Sequence, residues 1–437
     1  MDWWVILLIL VGSLLLLLAT GMPVAFAFFF LNIIGAVVFM NGVAGLRQLI
    51  LSIFNALTSF TLAPVPLFIF MGEILFHSGT AVKTIQVLDR SMGQIPGRLS
   101  LLTVAGGTIF SNLSGSTMAN TAMLGSLLVP EMEKRGYKSS MSLGPILGTG
   151  GIAMIIPPSA LAIILGTLAR ISIGDLLVAG VIPGLFMAVL YSLYIIVRCK
   201  LNPSLAPAYP VEALPFFEKA VGFLKYVFPL TTIVFLVVGL IFLGIATPTE
   251  AAAMGCIGSL LLALLYKGMD LKKLKRSIQG ALQVTVMTFM IIAGSIAFSQ
   301  ILAFTGASQG IVGYVAGLPL PPILLLITMQ LLLFLLGAFM DQISMMMICI
   351  PIYMPIIQAL GFDPVWFGIL MLLNLEIAFT SPPFGLLLFV MKGVAPQGTR
   401  MSDIYRAAIP FIFCDVAVMA SIMAFPALAI WLPSLMQ

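Results

Sequence analysis

Charge is the scarcest commodity in this 437-residue chain: Asp, Glu, Lys and Arg together make up 8% of it. A soluble domain carries about 25%, so these residues cannot cover a water-facing surface and lipid must be the solvent. Histidine is represented by His77 alone, which reads as an interfacial side chain. Cys199, Cys256, Cys349 and Cys414 lie far apart with no CxxC, so the usual spacings assemble no zinc, haem or iron–sulfur site. There is no GxxxxGK[ST] for a nucleotide-driven pump, and HExxH does not occur. The chain is therefore expected not to be an enzyme. Its formal charge of +5 does not suggest nucleic acid, because the basic residues sit between apolar runs rather than along one helix face.

What fills the chain instead is apolar. Hydrophobic residues account for 61%, and the mean hydropathy is +1.19. Apolar runs of roughly 20 residues, the length a helix needs to cross a bilayer, recur from end to end. The first, Trp3 to Leu18, has no basic n-region and no small-residue cleavage site. It is expected to be a retained helix, not a signal peptide.

Self-similarity exposes the organisation. Pro23 in TGMPVA and Pro248 in IATPTEA stand 225 positions apart, and the same spacing relates Pro96 to Pro321, Pro130 to Pro355, Gly136 to Gly361, and Pro157-Pro158 to Pro382-Pro383. Further on the register slips, so that Asp175 answers Asp403 and Ile182-Pro183 answers Ile409-Pro410. The spacing predicts a duplication. The first half, 1–200, has spans near 3–20, 23–41 and 47–76, an amphipathic segment around 80–93, a broken segment at 98–135, an interrupted helix at 141–170 and a span at 176–199. A Pro-rich amphipathic connector follows at 201–225. The second half, 226–437, repeats the pattern, with its broken segment at 321–360 and its interrupted helix at 365–393.

Lys and Arg then set the topology. If each broken segment is a re-entrant hairpin, each half crosses five times and the halves face opposite ways. With the N-terminus outside, all of the 20 basic residues except Arg47 and Arg170 fall on the cytoplasmic side. Counting either hairpin as a full span puts clusters on the wrong face. The expected fold is an all-α polytopic membrane protein of two inverted-topology repeats. Each has five transmembrane helices, one re-entrant helical hairpin and an amphipathic arm helix. Inverted repeats with broken helices meeting at mid-membrane point to a carrier that moves a small solute by alternating access.

Four breaks carry the polar residues. The first hairpin tip reads FSNLSGSTMANTAM, Phe110 to Met123. Its run of small polar residues at that depth belongs where it lines a cavity, the bland alternative being close helix packing. GTGGIAMIIPPSA, Gly148 to Ala160, has tandem prolines. They free carbonyls for a hard cation and aim the restarting helix at an anion, the alternative being a plain kink. LLGAFMDQIS, Leu335 to Ser344, is the second tip, with Asp341 in the place of Ser116, and AFTSPPFG, Ala378 to Gly385, is the counterpart break. Asp341 and Glu376 lie near the bilayer centre with no basic residue to pair with. Each must be protonated, hydrogen-bonded or neutralised by a cation, cation binding being the first choice for Asp341 and a helix–helix role remaining open for Glu376. Glu73 and Asp415 read as structural or partner-facing.

PLFIFMGEIL, SGSTMANTAMLGSLLVPEMEKRGY, GTGGIAMIIPPSALAIILG, TPTEAAAMG and TSPPFGLLLFVMKGVAP resemble the large membrane subunit of tripartite ATP-independent periplasmic (TRAP) transporters, the DctM-like family. The family's first tip often reads SGSGPA where this chain has SGSTMA, a bulkier Thr117-Met118 pair. The resemblance implies a sodium-driven, elevator-type secondary transporter in a bacterial inner membrane, its termini periplasmic. It also implies a smaller four-helix membrane subunit and a soluble periplasmic binding protein that delivers an organic anion. By position it implies one sodium site at Ser114, Ser116, Gly150 and Pro157, and another at Gly337, Asp341, Thr380 and Ser381. Substrate is implied between Asn112, Thr117, Asn120, Ser159 and Phe384. A C4-dicarboxylate, a sugar acid such as sialic acid, and a sulfonate all stay open as substrates. A stand-alone sodium–dicarboxylate symporter is the main alternative, and a channel a weaker one.

Overall fold

The computed structural model describes residues 1–92, 95–114, 117–209, 215–337, 340–383 and 385–436, with backbone alone at 81, 82, 90, 110–114 and 216. Every regular element among them is helical. Physics leaves little choice: in hydrocarbon no water satisfies a backbone N–H or C=O, so the chain must bond within itself. Among the described residues seven helices are long and apolar enough to span a bilayer, from Phe60–Ser78 to Met401–Ala424. Large apolar side chains such as Leu8, Phe54, Phe235, Leu265 and Phe413 point outward, as a lipid-facing surface requires.

Proline and capping residues set the helix starts. Pro64, Pro248, Pro322 and Pro364 each open a helix, where the missing donor costs nothing. The TPTEA motif is a reciprocal capping box. Thr247 N–H donates to Glu250 Oε2 at 2.8 Å and Glu250 N–H to Thr247 Oγ1 at 3.3 Å.

One expected span divides. In place of a single helix near 47–76, the first half has Val43–Leu57, a short 3-10 turn Phe60–Leu62, and Pro64–Ser78. The matching stretch of the second half is one unbroken 34-residue helix, Leu271–Phe304. Proline explains the difference. Pro64 and Pro66 withdraw two donors, whereas the residues 225 positions on are Phe289 and Ile291, which keep theirs. At 1.5 Å per residue the unbroken helix is about 50 Å long, so it overruns the hydrocarbon and carries Lys272, Lys273, Lys275 and Arg276 beyond one end.

The breaks fall where polar and proline residues interrupt the apolar runs. The first hairpin is Arg98–Ser114 followed by Thr117–Lys134; the second is Pro322–Gly337 followed by Gln342–Ala359. The interrupted helices are Gly144–Ile152 restarting as Ala160–Ala169, and Pro364–Thr380 restarting as Leu386–Val394. Pro157-Pro158 and Pro382-Pro383 are both joined by cis bonds. Residues 225 apart thus occupy elements of like kind.

Two apolar cores result. A smaller one joins Trp3–Ala19 and Val24–Phe39 to the 34-residue helix, with Phe28 edge-on to Phe298 at 5.3 Å and the Asn32 amide donating to the Gly294 carbonyl at 2.7 Å. The larger one holds the hairpins, the interrupted helices, Pro64–Ser78 and Pro248–Leu265. The connector is pinned to the base of the first hairpin: Gly97 N–H bonds the Ala206 carbonyl at 3.3 Å and Lys138 N–H the Leu205 carbonyl at 2.9 Å. Tyr209 lies under the Arg135 guanidinium at 3.7 Å. Arg98, almost fully buried, is neutralised by Asp89 at 2.9 Å.

Candidate functional site

A cavity of about 950 Å³ lies where the breaks converge. Thr117, Met118 and Ala119 of the first hairpin wall one side, and Asp341, Gln342, Ile343 and Ser344 of the second wall another. Ala160 and Leu161 come from the first interrupted helix, Phe379 and Leu386 from the second. The remaining wall is Pro23–Phe26, Ile69–Phe76 and Leu282–Ile291.

The electrostatics are set by backbone. Among the described lining residues only Glu73 and Asp341 are charged, and neither Lys nor Arg is present. Five helices nevertheless begin on the cavity: Val24–Phe39, Thr117–Lys134, Ala160–Ala169, Gln342–Ala359 and Leu386–Val394. Each N-terminus carries roughly half a positive charge, and side chains cap two of them, Asp341 at Gln342–Ala359 and Ser159 at Ala160–Ala169. Convergent N-termini make an anion site without a basic side chain. The sequence predicts this for the helix after Pro158; the starts of the other four are legible too, but their convergence is a tertiary fact.

Asp341 resolves one open question. It caps Gln342–Ala359, its carboxylate accepting the Ile343 N–H at 3.1 Å, the Ser344 N–H at 3.2 Å and the Ser344 hydroxyl. Of the three ways to keep that charge at depth, hydrogen bonding is therefore in place. The spacing of Asp341 to Ser344 was the available signal. Beside it, Gly337 packs so closely that an added methyl would overlap the Ala378 Cβ. One turn on, Thr380 donates to the Glu376 carbonyl at 3.0 Å and Ser381 to the Ile377 carbonyl at 2.6 Å. Gly337, Thr380 and Ser381 therefore gather where the second hairpin meets the second break.

The first implied sodium site is less completely described. Ser116 lies outside the described residues, as do the side chains of Ser114 and Asn112, and Phe384. Gly150 faces Thr121 of the first hairpin, and Pro157 is buried in the break. The second hairpin reaches this break too: the Gln342 amide contacts Met154 Sδ at 3.1 Å.

Of the residues implied for substrate, Thr117 lines the cavity. Asn120 is fully buried one turn further along its helix. Ser159 is buried as a cap, donating to the Met154 carbonyl at 2.5 Å and accepting the Ala162 N–H at 3.2 Å. That hydroxyl takes up a carbonyl which Pro158 would otherwise leave free. Ser159→Ala should lower stability by about 1–2 kcal/mol and leave solute affinity nearly unchanged. Thermal unfolding and equilibrium binding check this; a tenfold loss of affinity at unchanged unfolding temperature would contradict it.

Asp415 is buried, accepting the Tyr191 hydroxyl, so its place is structural rather than partner-facing. Glu73 lines the cavity, 3.3 Å from His77 Nδ1. Glu376 is fully buried against Gly151, and among the described residues neither carboxylate oxygen has a hydrogen-bond partner.

Comparison with known proteins accords with this arrangement. Residues 11–428 match the family described as tripartite ATP-independent periplasmic transporter, DctM component. The chain is 31% identical over 392 residues to the C4-dicarboxylate TRAP transporter large permease protein DctM of Pseudomonas aeruginosa, covering 89% of this chain and 90% of that one. It is 30% identical over 424 residues to the ectoine/5-hydroxyectoine TRAP transporter large permease protein UehC of Ruegeria pomeroyi, covering 97% of each. Its fold is similar to that of the YdaH transporter of Alcanivorax borkumensis, with a TM-score of 0.60 at 14% identity over 90% of each chain. The chain belongs to the DctM component family of tripartite ATP-independent periplasmic transporters: it is a multi-pass membrane permease and not an enzyme.

Proposed function

We propose that this permease imports a small organic anion by sodium symport, with an elevator mechanism, across a bacterial inner membrane. The observation that carries the reading is the single cavity shared by both hairpin tips and five helix N-termini. It offers positive potential to a carboxylate without a basic side chain that would hold it too tightly to release. The relatives' solutes fit such a site, since a C4-dicarboxylate and ectoine share a carboxylate and little else.

Sodium supplies what the N-termini do not. Asp341 puts a negative charge beside the anion site, and a cation at Gly337, Asp341, Thr380 and Ser381 offsets it and fixes the hairpin against the break. A second cation at Ser114, Ser116, Gly150 and Pro157 does the same for the first hairpin. Solute then meets a completed site only when sodium is bound, which is the physical content of coupling.

The halves are inverted repeats, with both termini periplasmic. In that topology the walls Pro23–Phe26, Ile69–Phe76 and Leu282–Ile291 belong to the cytoplasmic half of the bilayer, so the cavity opens inward. A small four-helix membrane subunit and a periplasmic binding protein complete the system, the latter delivering solute to the outward-facing state.

The test is solute uptake into proteoliposomes holding the chain and its small subunit, under an inward sodium gradient. Uptake that needs both sodium and the purified binding protein supports the reading. Uptake that needs sodium alone would make this a stand-alone symporter of similar fold, and uptake indifferent to sodium would overturn the coupling.

A further inference from the structure

Residues 151 and 376 stand 225 positions apart, the spacing that relates the two halves. In the structure they touch. A methyl group on Gly151 would overlap the Glu376 carboxylate. When two elements related by a two-fold operation touch at corresponding positions, the contact lies on the axis. An axial pair has room for one side chain, and here the glycine of one half yields it to the glutamate of the other.

Each partner of this contact is next to a break. Gly151 follows Gly150, which faces Thr121 of the first hairpin, and its helix ends at Ile152. Glu376 lies one turn before Thr380 and Ser381, and its carbonyl accepts the Thr380 hydroxyl at 3.0 Å. The side chain is fully buried and, among the described residues, has no hydrogen-bond partner of its own. Among the described residues its carboxylate is therefore located by packing against Gly151 and not by a hydrogen bond. Close-packed interiors transmit such displacements instead of absorbing them.

We infer that Glu376 is a positioning residue on the pseudo-two-fold axis, coupling the two ion-binding breaks so that sodium at one favours sodium at the other. Closure of the first hairpin on its ion shifts the Gly150–Gly151 segment. Glu376 follows that shift and carries Thr380 and Ser381 with it. This rests on the sodium-coupled reading above and adds the residue through which the two sites communicate.

The experiment measures solute uptake against sodium concentration in proteoliposomes containing the chain with its small subunit. The unmodified protein should respond cooperatively, with a Hill coefficient above about 1. Glu376→Gln, which keeps the shape, should retain that coefficient. Glu376→Ala should bring it to about 1 and raise half-saturating sodium by roughly tenfold. Glu376→Asp, one methylene shorter, should fall between the two, and replaces the alanine variant if that fails to fold. The exchange Gly151→Glu with Glu376→Gly returns the carboxylate to the axis from the other helix. It should recover cooperativity that Gly151→Glu alone destroys. Unchanged cooperativity in both the alanine and the aspartate variant, or an exchange no better than Gly151→Glu alone, overturns the inference while sodium coupling stands. No sodium dependence in the unmodified protein overturns both.

Discussion

Asp341→Asn should abolish sodium-driven uptake while leaving the protein folded. The carboxylate has two tasks in this structure. As a cap it accepts the Ile343 and Ser344 N–H groups at 3.1 and 3.2 Å, and asparagine caps a helix about as well as aspartate. As a charge it can hold a cation, and a neutral amide cannot offset one. Asp341→Ala removes both and should cost about 1 kcal/mol of stability in addition. Comparing the two variants separates the tasks: unfolding temperature follows the cap, and sodium dependence follows the charge. Sodium binding, read from the sodium-dependent rise in unfolding temperature, should weaken at least about tenfold in the asparagine variant, equivalent to about 1.4 kcal/mol. Full sodium-dependent transport by Asp341→Asn would show that the residue is only a cap.

Gly337→Ala should damage the same site by a different route. The added methyl would collide with the Ala378 Cβ and with Met345. Met345 can swing aside, but Ala378 has no rotamer to change, so the backbone of the second hairpin must withdraw from the second break. Overpacking of this kind costs about 1–3 kcal/mol, and the same withdrawal should separate Asp341 from Thr380 and Ser381. Both unfolding temperature and sodium affinity should therefore fall together. Ala378→Gly should restore much of the loss when combined with it, whereas independent effects would simply add. Thermal unfolding with and without sodium, on the two single variants and the double, checks this.

Much of the architecture is legible in the sequence because hydrocarbon limits the choices. Apolar runs of bilayer length have to be helices, and the proline pairs at 157–158 and 382–383 mark breaks. The hairpin boundaries at 98–135 and 321–360 lie close to Arg98–Lys134 and Pro322–Ala359. What the sequence does not show is either a local exception or a tertiary contact. Pro64 and Pro66 divide a span whose counterpart stays whole, a difference visible residue by residue but hidden by the shared apolar pattern. A hydroxyl after two prolines serves equally well as cap or ligand, and only the fold shows the Ser159 hydroxyl turned toward Met154 and Ala162. The contact of Glu376 with Gly151 follows from the spacing of 225 once the helices are known to cross. Composition gives no hint of it.

The most direct single measurement is maleimide labelling of Met118→Cys in a cysteine-free background, in membrane vesicles of known orientation. Met118 is on the cavity wall, 47% exposed, at the tip of the first hairpin. If sodium and solute complete the site there, labelling from the cytoplasmic side should be fast without sodium and slowed at least about tenfold by sodium plus solute, with either alone protecting less. Labelling that is equally fast in all four conditions, or that occurs only from the outside, would contradict an inward-opening, sodium-completed site between the hairpin tips.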